Sequence, residues 1–213
     1  MKKNVLIFCA HPDDETLGAG GFIKKLTNQG YKVVTIFFSL GEEGSLIMNK
    51  EYLIPKRIQE AKRVSNILGT TPYFLSLKDM NLINEIKKPR VKRAVHRLID
   101  FYNPEFILFH SKDDRIFVDH LAVYKIVSEV LKEKDYKNAY TFNIWNPISI
   151  SEANNDSIVV DIRETLRTKL KALAEFKTQK TAVYQLTPIV IIKSLIYGII
   201  HKCRFAEVFL KYE

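Results

Sequence analysis

Asn4-Val5-Leu6-Ile7-Phe8-Cys9-Ala10-His11-Pro12-Asp13-Asp14-Glu15 joins an unbroken apolar run to a histidine and three carboxyl residues. A short apolar run ended by a proline-containing polar turn reads as a strand buried on both faces, the kind found in parallel sheets. The run is shorter than the hydrophobic core of a signal peptide, and no small-residue cleavage site follows it.

Working outward, the same grammar repeats. Helical periodicity is read over Gly20 to Gln29, an extended run over Lys32 to Ser39 and a helix over Pro55 to Leu68. A short strand at Tyr73 to Ser76, a basic helix at Lys88 to Tyr102, a strand at Phe106 to His110 and a helix at His120 to Lys134 come next. Strands at Ala139 to Ile144 and Ile158 to Asp161 precede a charged helix from Arg163 to about Gln179. Parallel strands need crossover connections, so this alternation predicts an α/β fold: a Rossmann-like three-layer sandwich with a mainly parallel sheet. No repeat or low-complexity linker divides residues 1–213, and a single domain is expected.

Composition narrows the classes. At 213 residues, with 46% apolar and 27% charged residues, the chain can bury a sizeable core. A net charge of +9 attracts nucleic acid, anionic membranes and phosphorylated substrates alike. The basic residues are dispersed without aromatic interleaving, which argues against specific nucleic-acid binding. Two cysteines, Cys9 and Cys203, without CxxC spacing suggest neither a disulfide framework nor a thiolate metal site, and a cytoplasmic location is expected. Pro188 to Ile200 is apolar but is interrupted by Lys193 and falls short of the roughly 20 residues that span a bilayer. A buried C-terminal helix is the expectation there, with an interfacial helix and peripheral membrane contact as the alternative.

In open α/β sheets ligands bind beyond the carboxyl ends of the strands. Three loops lie there: His11 to Glu15, Ser39 to Ser45, and the segment after His110. Crowded carboxylates repel and raise one another's pKa unless a cation sits among them. His11 and Asp14, three apart, share a face if a helical turn begins after Pro12, while Asp13 points elsewhere. The competing role is capping of the next helix by Asp13 or Asp14, with Glu15 near its positive end. Glycines 18, 20 and 21 match no dinucleotide fingerprint. A catalytic zinc takes three protein ligands and leaves a position open for water, and Asp119-His120, after the polar Ser111-Lys112-Asp113-Asp114-Arg115, offers the third.

At these residues the chain resembles the PIG-L/LmbE-like zinc deacetylases, marked by an Ala-His-Pro-Asp-Asp-Glu loop and a later His-x-Asp-His. Further similar positions are Gly20-Gly21, Ser39-Leu40-Gly41-Glu42, Arg57 with Glu60 and Ala61, Leu68-Gly69, Phe74-Leu75, Lys171-Ala172-Leu173 with Gln179, and Ala206-Glu207-Val208-Phe209. The resemblance implies zinc held by His11, Asp14 and His120, with Asp13 as general base. It also implies Arg57 as a contact to the substrate's sugar or phosphate, against a plain ion pair with Glu60. The second motif departs from the pattern, reading Phe117-Val118-Asp119-His120. The missing histidine resembles an acid or oxyanion stabiliser. His110 is the first substitute expected, against a histidine merely bonded to backbone, with Lys112 and Arg115 in reserve. Asp119 is expected to orient its neighbour from outside the ligand set. The implied activity is removal of an N-acetyl group from an amino-sugar conjugate of the N-acetylglucosamine type, phosphorylated or lipid-linked. The alternative is a catalytically impaired zinc- or sugar-binding homologue.

Overall fold

β1 (Asn4–Cys9) alternates its side chains between two apolar clusters, with Val5, Ile7 and Cys9 on one side and Leu6 and Phe8 on the other. β2 (Lys32–Ser39) and β4 (Phe106–His110) divide in the same way, Val33 and Leu108 against Val34 and Ile107. Strand side chains alternate with period two, so continuous apolar runs demand a covering layer on both faces. The computed structural model describes residues 3–43, 49–114, 117–144 and 157–213, and both layers are present in it. One is built from α1 (Asp14–Asn28), α2 (Lys50–Leu68), α6 (Leu166–Leu173) and α7 (Lys180–Ile200). The other holds α4 (Pro89–Tyr102) and α5 (Val118–Glu133), with the short α3 (Leu82–Glu85) at its edge.

With β3 (Thr71–Leu77), β5 (Ala139–Phe142), β6 (Ile158–Asp161) and β7 (Ala206–Lys211), the strands form one sheet in the order β3-β2-β1-β4-β5-β7-β6. β1 pairs in parallel with β2 (Leu6 opposite Val34) and with β4 (Leu6 opposite Ile107). β7 runs antiparallel between β5 and β6. This is the expected three-layer α/β sandwich with a mainly parallel sheet.

Several boundaries differ from the sequence reading. α1 starts at Asp14 rather than Gly20, because its glycines serve close packing and do not break the helix: a Cβ on Gly21 would lie 2.6 Å from Ile162 Cγ2. α2 starts at Lys50, five residues before Pro55, capped by the Asn49 side chain accepting from the Tyr52 amide at 2.9 Å. The charged helix expected over Arg163 to Gln179 is α6 followed by a 3-10 turn at Lys177–Gln179. β7 is a strand beyond those the sequence pattern predicts, since Glu207 and Lys211 interrupt its apolar character. α7 corrects the expectation of a buried helix: Val183, Leu186 and Val190 enter the core, whereas Ile192 and Ile199 are 56% and 68% exposed.

The charge within β7 has a structural partner. Glu207 accepts from the Gly21 and Phe22 amides at 3.0 and 2.7 Å and from Lys169 Nζ at 2.6 Å, while Lys169 also donates to Leu17 O at 2.9 Å. Leu17 O and Gly21 N are the two ends of one i to i+4 helical step, so the buried pair satisfies backbone groups of α1 and ties it to α6 and β7. Glu207→Ala strands a buried ammonium and is expected to cost about 3–5 kcal/mol in urea unfolding. Combining it with Lys169→Met should recover part of that loss; a loss below about 1 kcal/mol for the single variant would show the pair to be dispensable.

Candidate metal centre and cleft

The strand order reverses between β1 and β4, and their following loops diverge to leave a crevice at the carboxyl edge of the sheet. Four strand ends contribute. β1 delivers His11, Asp13 and Asp14, β2 the segment from Ser39 to Glu43, β3 Asp79, and β4 His110 and Asp114. The first turn of α5 adds Asp119 and His120.

Asp14 is the hub. One of its oxygens lies 3.6 Å from His11 Nδ1 and the other 3.3 Å from His120 Nε2. Donor atoms of these three residues all lie within 4.8 Å of one another, and all three residues line the cleft. The remaining imidazole nitrogens are occupied from behind. His11 Nε2 meets Asp79 Oδ1 at 3.0 Å and Asp119 Oδ2 at 3.5 Å, and His120 Nδ1 meets Asp114 Oδ2 at 2.9 Å. Carboxylates behind imidazoles fix ring orientation at metal sites and raise ligand basicity.

Two other groups, His110-Asp114-His120 and His11-Asp79-Asp119, are compact enough to hold an ion. Their carboxylates are already committed. Asp79 accepts from Ser39 Oγ at 3.1 Å and the Glu43 amide at 2.9 Å, and Asp119 from the Met80 and Leu82 amides at 2.9 and 3.1 Å. Asp114 is buried against both His110 and His120. The His11-Asp14-His120 group combines two imidazoles and a carboxylate with access to the cleft, the donor set of a catalytic zinc site.

Asp119 was expected to orient its chain neighbour His120, but it turns to His11, because successive residues of a helix point about 100° apart. Asp114 takes the place beside His120. Asp79 and Asp114 carry no motif signal in the sequence, although both follow strand ends, where ligand-binding groups of such sheets gather.

The electrostatics follow from burial and these contacts. Burial opposes charge on His11, but its bonds to Asp119, Asp14 and Asp79 outweigh it and hold the imidazole well above the ordinary histidine range. His120 likewise overcomes burial through the Asp14 charge and the Asp114 bond and is pushed up to about 9. Burial would raise Asp14, yet the charges of His120 and His110 hold it well below the usual carboxylate range. Metal binding by such imidazoles releases protons.

Asp13 stands apart. Its backbone has φ 132° and ψ −30°, a conformation costly for a residue with a side chain, and its carboxylate caps nothing in α1. Capping therefore does not account for Asp13, and its side chain belongs to the cleft wall. Burial first, then the Asp14 charge, push its carboxyl up to about 7 against the pull of Arg57, His11 and His120. Glu15 is raised to about 8 by burial and serves the backbone, accepting from the Asp13 amide at 3.0 Å.

Arg57 is 2% exposed and ties two site loops together, donating from Nε to Leu40 O and from Nη2 to Pro12 O at 3.1 Å. Gly41, with φ 67°, packs on the guanidinium so closely that a Cβ would lie 2.3 Å from Nη2. The alternative partner Glu60 is engaged elsewhere, accepting from the Thr178 amide at 3.0 Å. Nη1 is buried without a hydrogen-bond partner among the described residues.

His110 is fully buried and does not line the cleft. Its Nε2 meets Asp14 Oδ2 at 3.1 Å and the Ala10 amide at 3.2 Å, its Nδ1 faces Asp114 at 3.3 Å, and its ring stacks on His120 at 4.0 Å. It props Asp14 and His120 from behind, where a direct proton donor to substrate was expected. Phe117 does line the cleft, 5.4 Å from the His120 ring, and offers no proton. Lys112 is exposed on the loop after β4, while Arg115 and the 44–48 end of the loop after β2 lie outside the described residues.

Known proteins share the sequence family and the fold of this chain. A curated relative, the probable N-acetyl-alpha-D-glucosaminyl L-malate deacetylase 2 of Bacillus anthracis, is 26% identical over 192 residues, covering 84% of this chain and 82% of its own. The structure of N,N'-diacetylchitobiose deacetylase from Pyrococcus horikoshii superposes with a TM-score of 0.80 at 20% identity, covering 97% of this chain and 82% of that one. The 4-carboxy-2-hydroxymuconate hydratase of Pseudomonas putida KT2440 has the same fold, with a TM-score of 0.75 at 19% identity and coverage of 99% and 96%. At these identities the structural likenesses establish the fold, which hosts more than one reaction. The family model described as PIG-L, GlcNAc-PI de-N-acetylase, matches residues 6–131, more than half of the chain and the span that holds His11, Asp13, Asp14 and His120. The chain belongs to the PIG-L family.

Proposed function

We propose that this chain is a zinc-dependent hydrolase that removes the N-acetyl group from a conjugate of the N-acetylglucosamine type. The observation that carries the proposal is the convergence of His11 Nδ1 and His120 Nε2 on the two oxygens of Asp14, at 3.6 and 3.3 Å, beside an uncommitted Asp13 in one cleft. Family membership and relatives named for deacetylation of N-acetylglucosaminyl malate and diacetylchitobiose support the substrate class.

His11, Asp14 and His120 would hold the zinc. When bound, the ion supplies Lewis acidity, lowering the pKa of a water toward about 7 and polarising the acetamide carbonyl. Asp13, in the cleft wall, takes the proton of the attacking water and returns it to the departing nitrogen, giving acetate and the free amine. Phe117 donates nothing and His110 is sealed behind Asp14, so Asp13 performs both transfers, with His110 as a positioning residue. Arg57 Nη1 is the buried cationic donor suited to a sugar hydroxyl or to an anionic group on the conjugate, phosphate included. Phe117 also motivates the second reading, a catalytically impaired homologue that keeps the metal and the sugar.

Acetate release over a panel of N-acetylglucosamine conjugates, free, malate-linked, chitobiose-type and phosphorylated, tests the activity. No release from any of them by zinc-loaded protein, with turnover gained by Phe117→His, selects the impaired reading. In an active parent, Phe117→His should leave the rate unchanged or raise it. Asp13→Asn should keep the metal and lose activity by about 10² or more; loss of zinc along with activity would exchange the roles of Asp13 and Asp14. Asp114→Asn should weaken zinc affinity by about 10- to 100-fold in competition with a chromophoric chelator, because His120 loses the carboxylate behind it. Unaltered affinity would remove Asp114 from the centre.

A further inference from the structure

A helix apolar on all sides is ordinarily buried all round or surrounded by lipid. α7 does neither with its whole surface. Val183, Leu186, Val190, Ser194 and Tyr197 face inward and are buried, but Ile189, Ile192, Leu195, Ile199 and Ile200 are between 37% and 68% exposed. The spacing of Ile189, Ile192, Leu195 and Ile199 by three and four residues puts them on one stripe with Ile200 at its end, roughly 16 Å long at 1.5 Å per residue. Single exposed apolar side chains need no explanation, whereas a continuous stripe on one helix does.

The charges around the stripe indicate what covers it. No Asp or Glu occurs from Phe176 to Ala206. Exposed Lys177 and Lys180 stand at one end of the helix, and exposed Lys202 and Arg204 just beyond the other. An apolar stripe with cations at both ends and no carboxylate matches the interface of an anionic bilayer, where the apolar face enters the acyl boundary and the cations meet phosphates. A second copy fits less well: stripe against stripe, parallel or antiparallel, brings like charges together at both ends.

Length and apolarity would also let Val183–Ile200 cross a membrane. Its packing holds it on the fold instead. Val183, Leu186 and Val190 belong to the main core, a Cβ on Gly198 would lie 2.4 Å from Arg204 O, and β7 follows directly as an inner strand of the sheet.

We infer that the outward face of α7 is a docking surface for an anionic lipid bilayer, on which the helix lies flat. The inference stands on α7 itself and holds whether or not the chain is a deacetylase. Gln179, just before the helix, and Leu186, in its first half, line the cleft, so docking brings the cleft to the membrane surface.

Co-sedimentation of the full chain with phosphatidylcholine vesicles, with and without phosphatidylglycerol, tests it. Expected is binding that requires the anionic lipid, weakens with added salt, and drops by about tenfold or more in an Ile192→Ser, Ile199→Ser variant. Both positions are exposed, and circular dichroism with the unfolding midpoint checks that the fold is kept. Lys202→Gln with Arg204→Gln, also exposed, should lower affinity and flatten the salt dependence. Absence of binding to anionic vesicles, or equal binding by the serine variant, overturns the proposal. So does a dimer in sedimentation velocity that the serine substitutions dissolve while vesicle binding stays undetectable.

Discussion

A single buried carboxylate organises this protein. Asp14 is 3% exposed, yet it is in contact with the ring nitrogens of His11, His110 and His120 and accepts the His11 amide at 2.8 Å. A carboxylate removed from water must be compensated by cations and donors. The compensation here comes from three separate parts of the chain: the loop after β1, the end of β4 and the first turn of α5. Burying one charge therefore fixes how these elements meet. Asp79, Asp114 and Asp119 extend the pattern by holding the far sides of the imidazoles.

Beside this network, Asp13 is held differently. Its backbone is strained, its side chain caps no helix, and Arg57 clamps the carbonyl of the preceding Pro12. Unfavourable φ/ψ values persist where surrounding structure over-determines them, and they concentrate at functional sites. The Asp13 carboxylate thus stands outside the imidazole network that engages Asp14, Asp79, Asp114 and Asp119. A cation among His11, Asp14 and His120 would draw the Asp13 carboxyl downward from about 7, as fixed positive charge does to any nearby acid.

The fold does not choose the chemistry. A hydratase and deacetylases share this sandwich, so the reaction depends on which groups stand at the strand ends. Phe117 brings no proton donor to the cleft, and the buried His110 is held against Asp14.

The sequence by itself determined the layered α/β architecture, because continuous apolar strands alternating with amphipathic helices have few ways to bury both sheet faces. It also made His11, Asp13 and Asp14 legible, since a histidine among crowded carboxyl groups after a strand is costly without a cation, while His120 was reached as the third ligand such a site needs and through the family resemblance. Tertiary structure alone decided the rest. Asp79 and Asp114 are ordinary loop acids until the sheet order places their strand ends around the β1 loop. Asp119 serves His11 and not its neighbour His120 because helical geometry turns adjacent side chains apart. His110 lies behind Asp14 because β4 pairs directly with β1. Glu207 obscured β7 as a charge in an apolar run, and it is intelligible only as the partner of Lys169 across 38 residues. Sequence pattern reports each residue's local preference for water or core, whereas the pairing of buried charges is a property of distances between segments that only the folded chain sets.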